Sequence, residues 1–223
     1  CIVAIDEFQQ NTLYPEKNVE ALLRTYIQHC TNAKFIFAGS QRHTMGNIFT
    51  GNSRPFYQSV SMMHLDSIDI EKYISFAISH FNAANKNITR EAVIEIFRRF
   101  QGVTWYIQKV LNELYSITPI GETCDIDILH NAVSTIIETY KYTYQEILFR
   151  LPEKQKALLI AIAREHEARA VTSGDFVRKN GLHSSSSVQS AMKGLLEKDL
   201  ITSENGSFQV YDQFLGSFLR SIY

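Results

Sequence analysis

Two adjacent carboxylates, Asp6 and Glu7, end the apolar, β-branched run Cys1-Ile2-Val3-Ala4-Ile5. An acid at the end of a strand can hold the water shell of Mg²⁺. The carboxylate beside it can orient or deprotonate a water that attacks a phosphoryl group. The same pair can also do no more than cap the next turn. A second polar set, Ser40-Gln41, follows another short apolar run, Lys34 to Ala38, through Gly39. A side chain here would lie between the acid and a γ-phosphate; the plain alternative is a Gly-Ser turn. Arg42 and Arg54 are the cations of the adjoining segment, each a phosphate contact or a solvated loop charge.

The elements that must position these groups form a strand–helix–strand unit. A continuous run such as 1–5 suits a strand buried on both faces of a parallel sheet. Asn18 is placed to cap a helix with Val19, Leu22, Leu23, Tyr26 and Ile27 on one face. The run 34–38 then supplies the next strand, and a right-handed crossover is expected. Asp6, Glu7, Ser40 and Gln41 all fall just past strand C-termini, the edge where open α/β sheets bind ligands. An apolar strand ended by Asp-Glu has the form of a Walker-B element, and Ser40 takes the place of a sensor-1 residue. Met45 to Pro55 is polar and turn-rich and reads as a long loop, and 58–65 reads as a last short strand.

Beyond residue 66 the pattern is helical. Asp69 caps a helix with Ile70, Tyr73, Ile74, Ala77, Ile78 and Phe81 inward. Thr89 caps another with Val93, Phe97 and Phe100 inward, closed by Gly102. Residues 105–116 carry Ile107, Val110, Leu111 and Leu114, and 127–150 carry Leu129, Val133, Ile136, Ile137 and Tyr140. Pro152 opens a helix with Leu158, Leu159 and Ile162. Ala170-Val171 reads as extended, 173–179 as a short helix ending at Gly181, and Ser184–Ser187 as the cap of a helix burying Val188, Met192, Leu195 and Leu196. Residues 200–202 and 208–211 flank Asn205-Gly206, a strong hairpin signal. Three helices and a β-hairpin in so short a span predict a winged helix-turn-helix.

Composition narrows the partners. Hydrophobic residues make up 45% and charged residues 20% of the chain, and the net charge is -1, so there is no global attraction to nucleic acid or anionic membrane. The longest apolar run, Ala157 to Ala163, is too short to span a bilayer. The cysteines, Cys1, Cys30 and Cys124, form no CxxC pair or disulfide framework, and the expected setting is the reducing cytoplasm. No leader pattern is read at the N-terminus. The histidines show no zinc-ligand spacing. The opening at Cys1, directly into a strand, predicts an N-terminal truncation.

The stretches IVAIDEFQQ, FIFAGSQRHTM and YDQFLGSFL resemble the archaeal-type or prokaryotic P-loop ATPases of the AAA+/STAND group across essentially the whole chain. The resemblance rests mainly on DEFQ combined with AGSQ. It implies a fold that begins α/β, with residues 1–65 as the C-terminal half of a P-loop NTPase core. An all-α lid over 66–150 and a winged helix over 151–223 follow. It also implies ATP and Mg²⁺ as cofactors of the intact protein. Asp6 becomes the metal-shell acid, Glu7 the catalytic base and Ser40 the sensor, with Gln41 beside it. Arg54 becomes an arginine finger or phosphate contact, with Arg42 as its rival.

Two departures stand out. No G-x-x-x-x-G-K-[ST] phosphate loop occurs in residues 1–223, so this portion alone is expected to be inactive. Relatives carry a Gly-x-Pro lid turn where this chain has Gln101-Gly102-Val103-Thr104, and no arginine follows to act as sensor 2. The expected function is an ATP-switched regulatory or signalling ATPase, or equally an accessory ATPase of toxin–antitoxin or phage-defence type. The alternative is a non-enzymatic winged-helix module, binding DNA or protein, on a degenerate NTPase scaffold. The candidate recognition helix would expose Ser185, Ser186, Gln189, Ser190 and Lys193. Its small cationic excess favours a protein or intramolecular partner over DNA.

Overall fold

A computed structural model describes residues 1–16 and 18–223, the side chains of Arg42 and His43 excepted. The chain forms two compact units, Cys1–Asp66 and Ser67–Tyr223.

In the first unit, β1 (Ile2–Ile5) is followed by a 3-10 helix (Phe8–Leu13), α1 (Val19–His29), β2 (Lys34–Phe37) and α2 (Arg42–Thr50). β1 and β2 pair in parallel with Ile2 opposite Lys34 and Ile5 opposite Phe37. The expected burial of β1 on both faces is not found: Ile2 is 72% and, on β2, Ile36 54% exposed. The described helices of the unit pack on the other face, against Ile5 and Phe37, which leaves the Ile2 and Ile36 face exposed among the described residues. Asn18 stands at the N-cap of α1 but makes no side-chain cap bond, because its backbone is left-handed (φ 72°). The inward face of α1 is Val19, Leu23 and Ile27 with Glu20, whereas Leu22 and Tyr26 are exposed.

The region expected to be a loop from Met45 is helical as far as Thr50. Met45, Ile48 and Phe49 recur at three- and four-residue spacing and are all buried, and this stripe outweighs Gly46 and Asn47. The small core is completed by Phe8 and Phe56. The strand expected over 58–65 is absent among the described residues. Gln58 donates its N–H to Phe49 O and Ser59 to Phe56 O, so the chain is turning there rather than laddering. Residues 61–66 are exposed.

The second unit contains α3 (Ile70–Ala83), β3 (Asn87–Ile88), α4 (Arg90–Arg99), α5 (Thr104–Ile117), β4 (Thr123–Cys124), α6 (Ile126–Arg150) and α7 (Glu153–Glu165). It continues with β5 (Ala168–Arg169), α8 (Gly174–Lys179), α9 (Ser185–Leu196), β6 (Ile201–Glu204), β7 (Ser207–Val210) and α10 (Gln213–Ile222). The caps expected at Asp69, Thr89 and Ser184 form: Asp69 accepts from Glu71 and Lys72 N–H, Thr89 from Ala92 and Ser184 from Ser187. Ser173, read as the first residue of its helix, caps it by accepting from Phe176. Each satisfies donors that a helix start otherwise leaves without partners. One hydrophobic core runs from Tyr73 to Leu219 through α3–α7 and the C-terminal elements.

The C-terminal sheet has the order β5-β7-β6, antiparallel throughout. Asn205 (φ 50°) and Gly206 (φ 77°) make its two-residue turn, both left-handed as a type I′ turn requires. The short strand before α8 lies at Ala168–Arg169, two residues earlier than expected, since Ala170 turns away with φ 47°.

The chain also ends in a helix, α10, beyond the expected hairpin. Asp212 caps it by accepting from Phe214 and Leu215 N–H. Phe214, Leu215, Phe218 and Leu219 form its buried stripe. Tyr144 of α6 donates to Asp212 at 2.9 Å, and the Tyr106 hydroxyl of α5 accepts from Gln213 N–H at 3.2 Å. Phe214 packs edge-on against Phe100, Trp105 and Tyr106.

Candidate functional site

The parallel register carries Asp6-Glu7 and Ser40 to the same end of the first sheet. Ala38 donates its N–H to Ile5 O and Phe8 donates to Ala38 O, both at 2.9 Å, which ties the segment after β1 to the segment after β2. Glu7 sits in the left-handed region (φ 47°), a conformation costing about 1–3 kcal/mol in a non-glycine residue and concentrated at functional sites. Its N–H donates to Asp6 Oδ1 at 2.9 Å.

This geometry brings Glu7 and Ser40 into direct contact: the Ser40 hydroxyl donates to Glu7 Oε2 at 3.1 Å. Sequence reasoning missed the third member, Gln9. Its amide nitrogen donates to the same Glu7 Oε2 and reaches Ser40 Oγ at 3.4 Å. Gln9 is only 2% exposed. The signal was the DEFQ stretch itself, since one tight helical turn after Glu7 points Phe8 into the core and brings Gln9 back onto the carboxylate. A Cβ at Gly39 would crowd Gln9 Oε1 and approach Met45 Sδ to 2.7 Å, so these flexible side chains would have to shift.

The remaining candidates are placed differently. Gln41 precedes α2 and accepts from the Thr44 hydroxyl at 3.0 Å. Arg42 opens α2, and its side chain lies outside the described residues. Arg54 makes an ion pair with Glu20 of α1 at 2.8 Å. Burial pushes the Glu20 carboxyl above its ordinary value, and the Arg54 charge opposes that rise. Thr12, Thr44, Asn47, Gly51, Ser53 and Arg54 line a cavity of about 380 Å³ in the same unit.

Asp6 and Glu7 are both exposed. A hydrated Mg²⁺ held through one or two carboxylates fits this donor set. A triphosphate does not fit these residues by themselves, because the cradle of backbone N–H groups and its lysine are not among them. No group of three or more His, Cys, Asp or Glu among the described residues is placed to hold a metal ion.

In the second unit, Gln101 (φ 51°) and Gly102 (φ 72°) form the turn before α5. The Thr104 hydroxyl accepts from Tyr73 at 2.8 Å. On the C-terminal elements the exposed residues of α9 include Ser185, Ser186, Gln189, Ser190 and Lys193. The cations around them are engaged: Arg178 with Asp175, Lys179 with Glu165, Lys193 with Glu197, and Arg169 with Glu167. Lys198 donates to Gln155.

Comparisons with known proteins agree with this architecture. A family model described as "Probable winged helix domain" matches residues 142–221. Among solved structures, the Walker-type ATPase PABY2304 of Pyrococcus abyssi superposes with a TM-score of 0.66 at 17% identity. The match covers 98% of this chain and 63% of that one, so this chain spans less than two thirds of that structure's length. The RuvB Holliday junction branch migration motor of Thermotoga maritima matches with a TM-score of 0.46 at 15% identity, over 97% of this chain and 69% of that one, a likeness too low to add to the argument. No curated protein matches the chain. The fold is therefore α/β and P-loop ATPase-like, continuing into helices and a C-terminal winged helix. No helix among the described residues is long and apolar enough to cross a membrane.

Proposed function

We propose that residues 1–223 are the part of an ATP-hydrolysing regulatory ATPase of the AAA+/STAND group that follows its phosphate loop, and that this part alone does not turn over ATP. The observation that carries the reading is the Glu7–Ser40 hydrogen bond at the shared end of two parallel strands. In this reading Glu7 takes the proton of the attacking water, Asp6 holds the water shell of Mg²⁺, and Ser40 senses the γ-phosphate. Gln41 and Arg42 are assigned to the nucleotide side of the site, and Arg54 acts as a finger or phosphate contact. For Arg54 to do so, its ion pair with Glu20 must first open. Mg²⁺, when bound, would neutralise charge on the phosphates.

The open sheet supports the reading. Parallel sheets are ordinarily covered on both faces, and the exposed Ile2 and Ile36 are apolar positions without cover. Residues 66–150 are assigned as the lid and 151–223 as the winged helix, and hydrolysis would shift the population between two arrangements of the protein. The decisive experiment is to read the coding sequence upstream of Cys1. A strand followed by G-x-x-x-x-G-K-[ST] is expected, and a start codon at Cys1 with no such loop would overturn the proposal. In the intact protein, Glu7→Gln should abolish turnover and spare nucleotide binding; unchanged turnover would remove Glu7 from the role of base.

The non-enzymatic alternative places function in the winged helix. The small cationic excess around α9 favours a protein or intramolecular partner over DNA, because phosphate contacts need Lys or Arg. A gel shift with mixed-sequence DNA at low salt should show no complex; a salt-dependent complex would restore the DNA reading.

A further inference from the structure

We propose that Gln9 is a positioning residue for Glu7, kept in a half-satisfied buried position because its amide fixes the carboxylate against Ser40. The inference rests on the reading of Glu7 as the base. Both donors, the Gln9 amide and the Ser40 hydroxyl, land on Glu7 Oε2, which leaves Oε1 as the oxygen to take a proton. The orientation of the amide follows from its neighbours, since the flipped form would set Gln9 Oε1 against the carboxylate.

The position is a poor one for stability. Gln9 is 2% exposed, and its Oε1 has no hydrogen-bond partner among the described residues. Buried acceptors are almost always satisfied, and an apolar side chain of similar volume would avoid the orphan altogether. A Cβ at Gly39 would press on that same oxygen. The backbone bonds Phe8 N–H to Ala38 O and Ala38 N–H to Ile5 O already join the two segments without Gln9. Cross-linking the loops is therefore not what the amide is needed for.

The test is Gln9→Leu in the intact ATPase, with Glu7→Gln beside it. Positioning predicts that Gln9→Leu lowers kcat by about 10- to 100-fold, with KM for ATP changed by less than about twofold. The melting temperature should hold or rise. A merely structural Gln9 would give a lowered melting temperature and an unchanged kcat per folded molecule, which would overturn the proposal. A second measurement does not depend on turnover. In residues 1–223, the Gln9 side-chain amide protons should exchange slowly with solvent and shift in both Ser40→Ala and Glu7→Gln. Fast exchange and no shift would overturn the contact itself. Turnover that survives Glu7→Gln would instead overturn the base reading, and the amide resonances would still decide whether Gln9 holds Glu7.

Discussion

In residues 1–66 the buried apolar side chains are Phe8, Met45, Ile48, Phe49 and Phe56, whereas in residues 67–223 one core continues from Tyr73 to Leu219. Polar burial follows the opposite trend. In the smaller unit Gln9 Oε1, both polar atoms of the Asn11 amide and Arg54 Nε are buried without partners among the described residues. In the larger unit such atoms are confined to the segment from Ser207 to Gln213. Native proteins satisfy nearly all buried polar groups, and the exceptions collect where function or strain retains them. The unit with less apolar burial thus carries most of the unsatisfied groups found among the described residues, and it is the unit that holds Asp6, Glu7 and Ser40.

The largest expected effect is in the larger unit. Phe214→Ala removes a ring that is 1% exposed and touches Phe100, Trp105, Tyr106 and Tyr140, and it should cost about 3–5 kcal/mol in urea unfolding. NMR signals from Phe8 and Phe56 should persist while those of the larger unit broaden; loss of both together would erase the distinction between the units.

Phe56→Ala should cost about 3 kcal/mol and act on the smaller unit, since this ring closes a cluster with Phe8, Phe37 and Phe49. The Glu7–Ser40 contact should be lost with it, readable as a changed Ser40 chemical shift. An unchanged shift would mean that the site does not depend on this core.

Asp212→Ala should cost about 2 kcal/mol, because the cap of α10 and the Tyr144 bond go together. A drop no larger than that of Tyr144→Phe would show that the cap itself contributes nothing.

Alkaline pH offers a subtler probe of the larger unit. Burial pushes the Tyr106 phenol up to about 12, and burial followed by the Asp212 charge pushes Tyr144 higher still. Both groups favour the neutral form when folded, against an ordinary value of about 10 in the unfolded chain. The contribution of Tyr106 is therefore complete below about pH 10 and is lost as pH rises through about 12, and that of Tyr144 falls over a range that extends higher. Unfolding curves from pH 9 to 12 should show this slope, reduced in Tyr106→Phe; an identical slope would assign it elsewhere. The smallest effect, about 1 kcal/mol, is expected for Gly206→Ala, where a side chain meets φ 77° in an open turn.

How much of this was legible depended on the range of the forces involved. The helices of 67–150 were readable because their signals are local: Asp69 and Thr89 cap within one turn, and Ile107, Val110, Leu111 and Leu114 repeat with the helical period. The α2 stripe of Met45, Ile48 and Phe49 was equally local but hidden by Gly46, Asn47 and the turn residues after it. Asp212 followed by Phe214, Leu215, Phe218 and Leu219 carried the same kind of signal for α10. The strand expected over 58–65 failed for another reason. A strand is defined by a partner, and no ladder forms there among the described residues. In the site, Asp6, Glu7 and Ser40 could be picked out from the polar residues that end apolar runs. Gln9 stood in the DEFQ stretch, but the stretch alone does not say that its amide turns back onto Glu7.

By itself the sequence determined the main helices of residues 67–223, the caps at Asp69, Thr89 and Ser184, the Asn205-Gly206 turn and the candidate carboxylates, since each is set by residues within a few positions of one another. Tertiary structure decided which face of α1 turns inward and which partner holds Arg54. It also decided that Gln9 and Ser40 share one oxygen of Glu7 and that α10 is tied down by Tyr144 and Tyr106. Those outcomes depend on groups from tens to more than a hundred positions apart, brought together by the burial of apolar surface, and no local pattern encodes which of them will meet.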